Sequence, residues 1–330
     1  MNTQTDWGKL QNLQKTFKRG SVVIKEGTSP NALYVLMSGR LNVIRDGIKI
    51  SQIKKRGEYI GEIAVLLNIP ASATVKAETE CVLIEIESSK IIPFLHHAPE
   101  IAIALARKMA ERLVELNANF SQLIDKSYRP DFIKSLQNRQ KLEITIKPEY
   151  EINLEKLRSL FVKYAAGMDV LTQGQYPRAL YILVSGTLDI IKNGKVIAVE
   201  DKPGYYLGDV AVLRNTFSNA TVTTRTESTL IEIGIEKVEA FLNHKPDIAI
   251  SVAVKLAERT LAINELFLDL QTDAIKEYKK KEEQLEKKNA VNSSNNTAGY
   301  KKIDRLSDEI EKLRKEGQEI YRMLGIESIE

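Results

Sequence analysis

Apolar residues along the chain fall into two rhythms. From Val22 to Glu85 they come in runs of strand length, Val22–Lys25, Leu33–Met37, Ala73–Ala77 and Val82–Glu85, with glycines at 20, 27, 39, 57 and 61 between them. Leu41-Asn-Val-Ile-Arg and Ile48-Lys-Ile-Ser flank Asp46-Gly47. An Asp-Gly pair between such runs predicts a tight hairpin, because both central residues need positive φ. Many short strands with regular turns predict a small antiparallel roll or barrel. After Pro99 the period lengthens: Ile103, Ala106, Ala110, Leu113, Asn117, Phe120 and Ile124 are separated by alternating steps of 3 and 4. That spacing predicts an amphipathic helix with a heptad seam.

The pattern then recurs. Shifted by 147 positions, the chain lies on itself without a gap, and 46 of 104 paired positions between Phe17–Phe120 and Tyr164–Phe267 are identical. A period this long marks a duplicated domain, not a solenoid unit. Asn193-Gly194 takes the hairpin position, and Ile250, Ala253, Ala257, Thr260, Asn264 and Phe267 repeat the helical seam after Pro246. The expected fold class is mainly β with α: two antiparallel, jelly-roll-like β-rolls, each followed by a long helix, and a C-terminal helical or coiled-coil tail. The expected domains are 1–126 and 161–270, joined by a linker at 127–160 and followed by a charged tail at 271–330. The linker holds a strand-like piece, Lys141–Lys147, and a helix near Leu154–Phe161. In the tail, after a break at 289–299, Ile303, Leu306, Ile310, Leu313, Gly317, Ile320 and Leu324 keep the 3/4 spacing.

Composition narrows the function. Lys and Arg total 48 against 44 Asp and Glu, a formal charge of +4, and the tail carries 13 of each sign. With no basic arm and no reading helix, DNA is not an expected partner. A single cysteine, Cys81, excludes an internal disulfide and fits a reducing cytoplasm. No segment reads as a signal peptide or membrane span, so the expected location is cytoplasmic, away from membranes. The three histidines, His96, His97 and His244, make no metal-ligand spacing, and no P-loop or nucleophile elbow is present. The expectation is therefore no catalytic residue, no metal site and no enzyme.

One stretch carries chemistry. It reads Gly61-Glu62-Ile63-Ala64-Val-Leu-Leu-Asn-Ile-Pro70-Ala71-Ser72-Ala73-Thr74-Val75 in copy one. In copy two it reads Gly208-Asp209-Val210-Ala211-Val-Leu-Arg-Asn-Thr-Phe217-Ser218-Asn219-Ala220-Thr221-Val222. With the Leu-Tyr-x-Leu-x-Ser-Gly strand and the hairpin, this resembles the phosphate-binding cassette of cyclic nucleotide-binding domains, as in the catabolite activator protein and the regulatory subunit of protein kinase A. The resemblance covers both repeats. It implies a glycine turn that lets backbone approach a phosphate, a short helix whose N-terminus favours an anion, an acid that accepts from a ribose hydroxyl, and an arginine on the cyclic phosphate. The candidate ligand-binding residues are Gly61, Glu62, Ile63, Ala64, Ala71, Ser72, Ala73 and Thr74, and their counterparts Gly208, Asp209, Val210, Ala211, Ser218, Asn219, Ala220 and Thr221.

The cassette arginine is missing from both copies, where Ala71 and Ser218 stand. Copy two also has the shorter Asp209 and, in place of a proline, the bulkier Phe217. Losing a charge-assisted hydrogen bond costs about 1.5–3 kcal/mol, so binding is expected to be weakened. The glycines are also read as serving the turn alone, and Glu62 as a helix cap. Asn117 and Asn264, on apolar seams, read either as contacts to a base or as residues setting helix register. Two functions follow. In one, the protein is a cytosolic, non-enzymatic sensor of cyclic AMP or cyclic GMP that acts on a protein partner, or self-associates, through its long helices and tail. In the other, the domains are degenerate, bind no nucleotide and form an interaction scaffold.

Overall fold

The computed structural model describes residues 12–127 and 152–264, with isolated helical positions at 283, 284 and 287. The strand expected at Lys141–Lys147 and the heptads from Ile303 to Leu324 lie outside the described residues. The helix expected near Leu154–Phe161 is a 3-10 helix, Leu154–Leu160.

Copy one folds as β1 (Gln14–Phe17), β2 (Val22–Ile24), β3 (Ala32–Ser38), β4 (Leu41–Arg45), β5 (Ile48–Ile53), β6 (Tyr59–Ile60), β7 (Thr74–Ala77) and β8 (Cys81–Glu87). Copy two repeats them as β9 (Phe161–Tyr164), β10 (Asp169–Leu171), β11 (Ala179–Ser185), β12 (Leu188–Lys192), β13 (Lys195–Glu200), β14 (Tyr206–Leu207), β15 (Thr221–Thr224) and β16 (Ser228–Gly234). Each roll is a pair of four-stranded antiparallel sheets, β1-β8-β3-β6 with β2-β7-β4-β5, and β9-β16-β11-β14 with β10-β15-β12-β13. The hairpin turns take the expected conformation, with φ of 50° and 79° at Asp46 and Gly47 and 51° and 75° at Asn193 and Gly194.

Five helices have residue bounds α1 (Glu62–Leu67), α2 (Ile91–His97), α3 (Pro99–Ser127), α4 (Asp209–Arg214) and α5 (Val238–His244). A further helix, α6, runs over 246–264. Thus α3 and α6 are the long helices expected after each roll.

Strand β3, Ala-Leu-Tyr-Val-Leu-Met-Ser, has no polar face because both of its faces are buried. Alternate side chains point to opposite sides. Tyr34 and Leu36 fill the inside of the first roll with Ile24, Leu41, Val75 and Leu83. Leu33 and Val35 join Ile84 and Ile86 on the outer face. In copy two, Tyr181 and Leu183 point inward, while Leu180, Ile182, Ile231 and Ile233 enter the same outer core as their counterparts. That shared core also takes Leu105, Met109 and Leu113 of α3 and Val252, Leu256 and Leu261 of α6. Among the described residues the seam positions Ile103, Ala106, Ala110 and Leu113 of α3 and Ile250, Ala253, Ala257 and Thr260 of α6 are therefore buried within one chain, between the two rolls. The hydroxyl of Thr260 lies 3.4 Å from the carbonyl of Met109 where the helices meet. Arg107 reaches Glu239 of copy two at 3.2 Å.

Gly39 sits at φ +97°, and a Cβ there would lie 2.6 Å from Cys81 Sγ and 2.8 Å from Cys81 Cα. Gly47, at φ +79°, has open space around it. Gly47→Ala should cost only the left-handed backbone penalty of about 1–2 kcal/mol. Gly39→Ala adds overpacking, for a total of about 2–5 kcal/mol. Urea unfolding of both variants checks the ordering.

Candidate functional site

Each cassette begins at a glycine in the left-handed region, φ 78° at Gly61 and 75° at Gly208. A Cβ at Gly61 would meet only the movable tip of Ile24 below 3 Å, so the left-handed backbone is what the turn requires of this glycine. The six-residue helix that follows ends on Asn68, itself left-handed at φ 51°. The loop beyond is tied down by backbone bonds, Gly27 N–H to Ala71 O at 2.8 Å and Ala71 N–H to Thr28 O at 2.9 Å. Copy two repeats them between Gly174 and Ser218 at 2.9 Å and between Ser218 and Gln175 at 2.8 Å.

The cassette acids are buried, Glu62 at 4% and Asp209 at 3% exposure. Each meets an arginine from the long helix of its own copy. Arg112 Nη1 donates to Glu62 at 2.8 Å, and Arg259 Nη1 donates to Asp209 at 2.7 Å. The other Asp209 oxygen accepts from the Val210 N–H at 2.9 Å, so the shorter acid is fully engaged. Burial pushes the Glu62 carboxyl above the usual range, and the Arg112 charge only partly offsets this. Sequence reasoning missed these arginines. The signal was present: Glu111-Arg112 and Glu258-Arg259 are identical under the 147-residue shift, beside the seam.

A cavity of about 650 Å³ lies against the first cassette. Gly61, Glu62, Ile63, Ala64, Ala71, Ser72 and Ala73 line it, with Arg45 of β4, Arg112 of α3, and Leu261 and Asn264 of α6. The second cavity is about 160 Å³. Gly208, Asp209, Val210, Ala211, Ser218, Asn219 and Ala220 line it with Arg259, together with Leu113, Val114 and Asn117 of α3. Each long helix thus gives an arginine to its own cassette and an asparagine to the opposite one. Five residues of α-helix turn through about 140°, enough to place the two side chains on different faces.

Some candidate residues are placed elsewhere. Thr74 and Thr221 do not line the cavities. Their hydroxyl oxygens accept from the Glu26 and Gln173 N–H groups at 3.1 and 3.0 Å. Phe217 does not crowd the second cavity. It is half exposed and lies against Tyr176, ring centroids 4.3 Å apart. The Nδ1 atoms of His97 and His244 donate to the carbonyls of Pro93 and Ala240 one helical turn back. Among the described residues no group of His, Cys, Asp and Glu is placed to hold a metal, and no helix is long and apolar enough to cross a membrane.

The pattern of the family described as "Cyclic nucleotide-binding domain" matches residues 14–97 and 161–245. The chain belongs to the cyclic nucleotide-binding domain family. It is 27% identical over 237 residues to the cAMP-dependent protein kinase regulatory subunit of Yarrowia lipolytica, covering 71% of this chain and 55% of that one. It is 25% identical over 226 residues to the corresponding subunit of Eremothecium gossypii, covering 67% and 42%. The chain thus spans about half the length of these curated relatives. Among solved structures, the Thermus thermophilus catabolite activator protein is similar at 25% identity, covering 40% of this chain and 63% of that one, with a TM-score of 0.32. In both cyclic nucleotide-binding domains a left-handed glycine precedes a buried acid that an arginine of the long helix holds, and Ala71 and Ser218 occupy the loop that follows.

Removing Arg112 leaves a buried carboxylate without its partner, a loss of about 3–5 kcal/mol for a fully buried pair and less here because Arg112 is partly exposed. Arg112→Ala should destabilise the domain, and adding Glu62→Gln should recover most of the loss. The pH dependence has a definite sign. The folded-state pKa of Glu62 is raised, so its proton is bound more tightly in the folded state, and the cost of its charge grows as pH rises above the ordinary carboxylate value. Arg112→Ala should therefore lose more stability at pH 7.5 than at pH 5. Chemical denaturation at the two pH values checks both statements.

Proposed function

We propose that the protein is a non-enzymatic cytosolic sensor in which copy one receives a cyclic nucleotide and copy two is its structural counterpart. The cavity sizes carry this reading. Ligand sites commonly enclose about 300–1,000 Å³. The first cavity, about 650 Å³, falls in that range, and the second, about 160 Å³, falls below it. Glu62, Ser72 and Asn264 offer polar contacts to a sugar, phosphate and base, and Arg45 offers a cation where the cassette itself has Ala71. A ribose hydroxyl on Glu62 competes with Arg112, so ligand binding pulls on α3, and α3 also lines the second cavity. The relatives named as kinase regulatory subunits make a kinase catalytic chain the partner class this likeness supports.

A second reading, an interaction scaffold that binds no nucleotide, is favoured by the occupied acid–arginine pairs and by the missing cassette arginines. Calorimetry with cyclic AMP and cyclic GMP separates the two. The sensor reading expects one site per chain. Ala71→Arg should tighten it about tenfold or more, and Arg45→Ala should weaken it about tenfold. Ser218→Arg should leave it unchanged. No heat from wild type, Ala71→Arg or Glu62→Ala with either nucleotide would replace the sensor by the scaffold.

A further inference from the structure

Strand β13 is the outer edge of its sheet, and it is apolar and open to solvent. Val196, Ile197 and Val199 are 51%, 60% and 46% exposed. An exposed apolar edge is a liability that single folded domains usually blunt with charge. Copy one does so on the same strand: Lys49 and Gln52 stand where copy two has Val196 and Val199. Gln52 donates to Glu78 at 2.8 Å, and Lys49 lies 3.9 Å from the same carboxylate. In copy two the position of Glu78 is Arg225, which turns to Asp189 at 2.6 Å. The duplicated strand has thus lost its polar cover.

The charges at its ends select the occupant. Lys192 and Lys195 are exposed and directly opposite each other across the hairpin, a like-charge pair that costs stability unless an acid lies between. Asp201, just past the other end of β13, is also exposed. A basic end, an apolar middle and an acidic end form a self-complementary surface. Rotation by 180° about the middle sets Val196 against Val199 and brings Lys195 to the acidic end of the partner strand, Glu200 with Asp201 beside it. The β12–β13 register shifts at Ile197, so the added contact rests on side chains and flanking charges more than on a continuous ladder.

We propose that β13 is an isologous interface between two copies of this chain. Sedimentation equilibrium of the full chain from about 1 to 100 µM tests it. Wild type should dimerise. Val196→Lys with Val199→Gln, which installs the copy-one residues on the same strand, should weaken the dimer at least about tenfold. Asp201→Lys should weaken it about tenfold by setting like charges together. Adding Lys195→Glu to Asp201→Lys exchanges the signs and should restore the dimer to within about threefold. A monomer throughout the range overturns the proposal. So does a dimer whose constant none of these variants moves, since other surfaces would then hold it. Thermal unfolding by circular dichroism confirms that each variant is folded.

Discussion

Two long helices with apolar seams must each be covered, and this chain covers them with each other. The rolls alone do not do so, because their inner faces are already filled by Tyr34, Leu36 and Leu83, and by Tyr181, Leu183 and Leu230. Placing α3 and α6 together between the rolls buries the described seam positions and both outer sheet faces in one core. The hydrophobic gain is large and non-directional. The polar groups then fix what the crossing means: Arg112 and Arg259 hold each helix to its own cassette, while Asn264 and Asn117 reach the other.

That exchange joins two halves whose side chains differ at the crossing. The same backbone position holds Leu113 in α3 and Thr260 in α6. Leu113 lines the second cavity, whereas Thr260 bonds back to the Leu256 carbonyl at 2.7 Å within its own helix. The cassettes diverge alongside. Asp209 accepts from both Arg259 and the Val210 N–H, while the longer Glu62 reaches into a cavity more than large enough for a guest.

Much of this was legible in the residues. The hairpins, glycine turns and heptad seams follow from backbone rules that act over a few residues, and the repeat exposed the architecture directly. The cassette was readable for the same reason, since its glycine and acid are adjacent in sequence. Arg112 was not, because it lies 50 residues from Glu62 and only the fold brings them together. Phe217 reads from the sequence only as bulkier than a proline. Its exposed position against Tyr176 depends on a loop contact that sequence spacing does not encode. The two readings of Asn117 and Asn264 were left open by the pattern, and the crossing of the helices places both side chains against the opposite cavity.

The central claim is that the two cavities are unequal and that each belongs to both halves of the chain. Hydrogen–deuterium exchange with and without cyclic AMP tests it most directly, because exchange reports local opening segment by segment. The account predicts added protection over residues 59–76 and, at the same ligand concentration, over the distant 257–264 segment of α6, with little change over 206–224. Equal protection of both cassettes would contradict the inequality. Protection confined to 59–76, with α6 unaffected, would contradict the sharing.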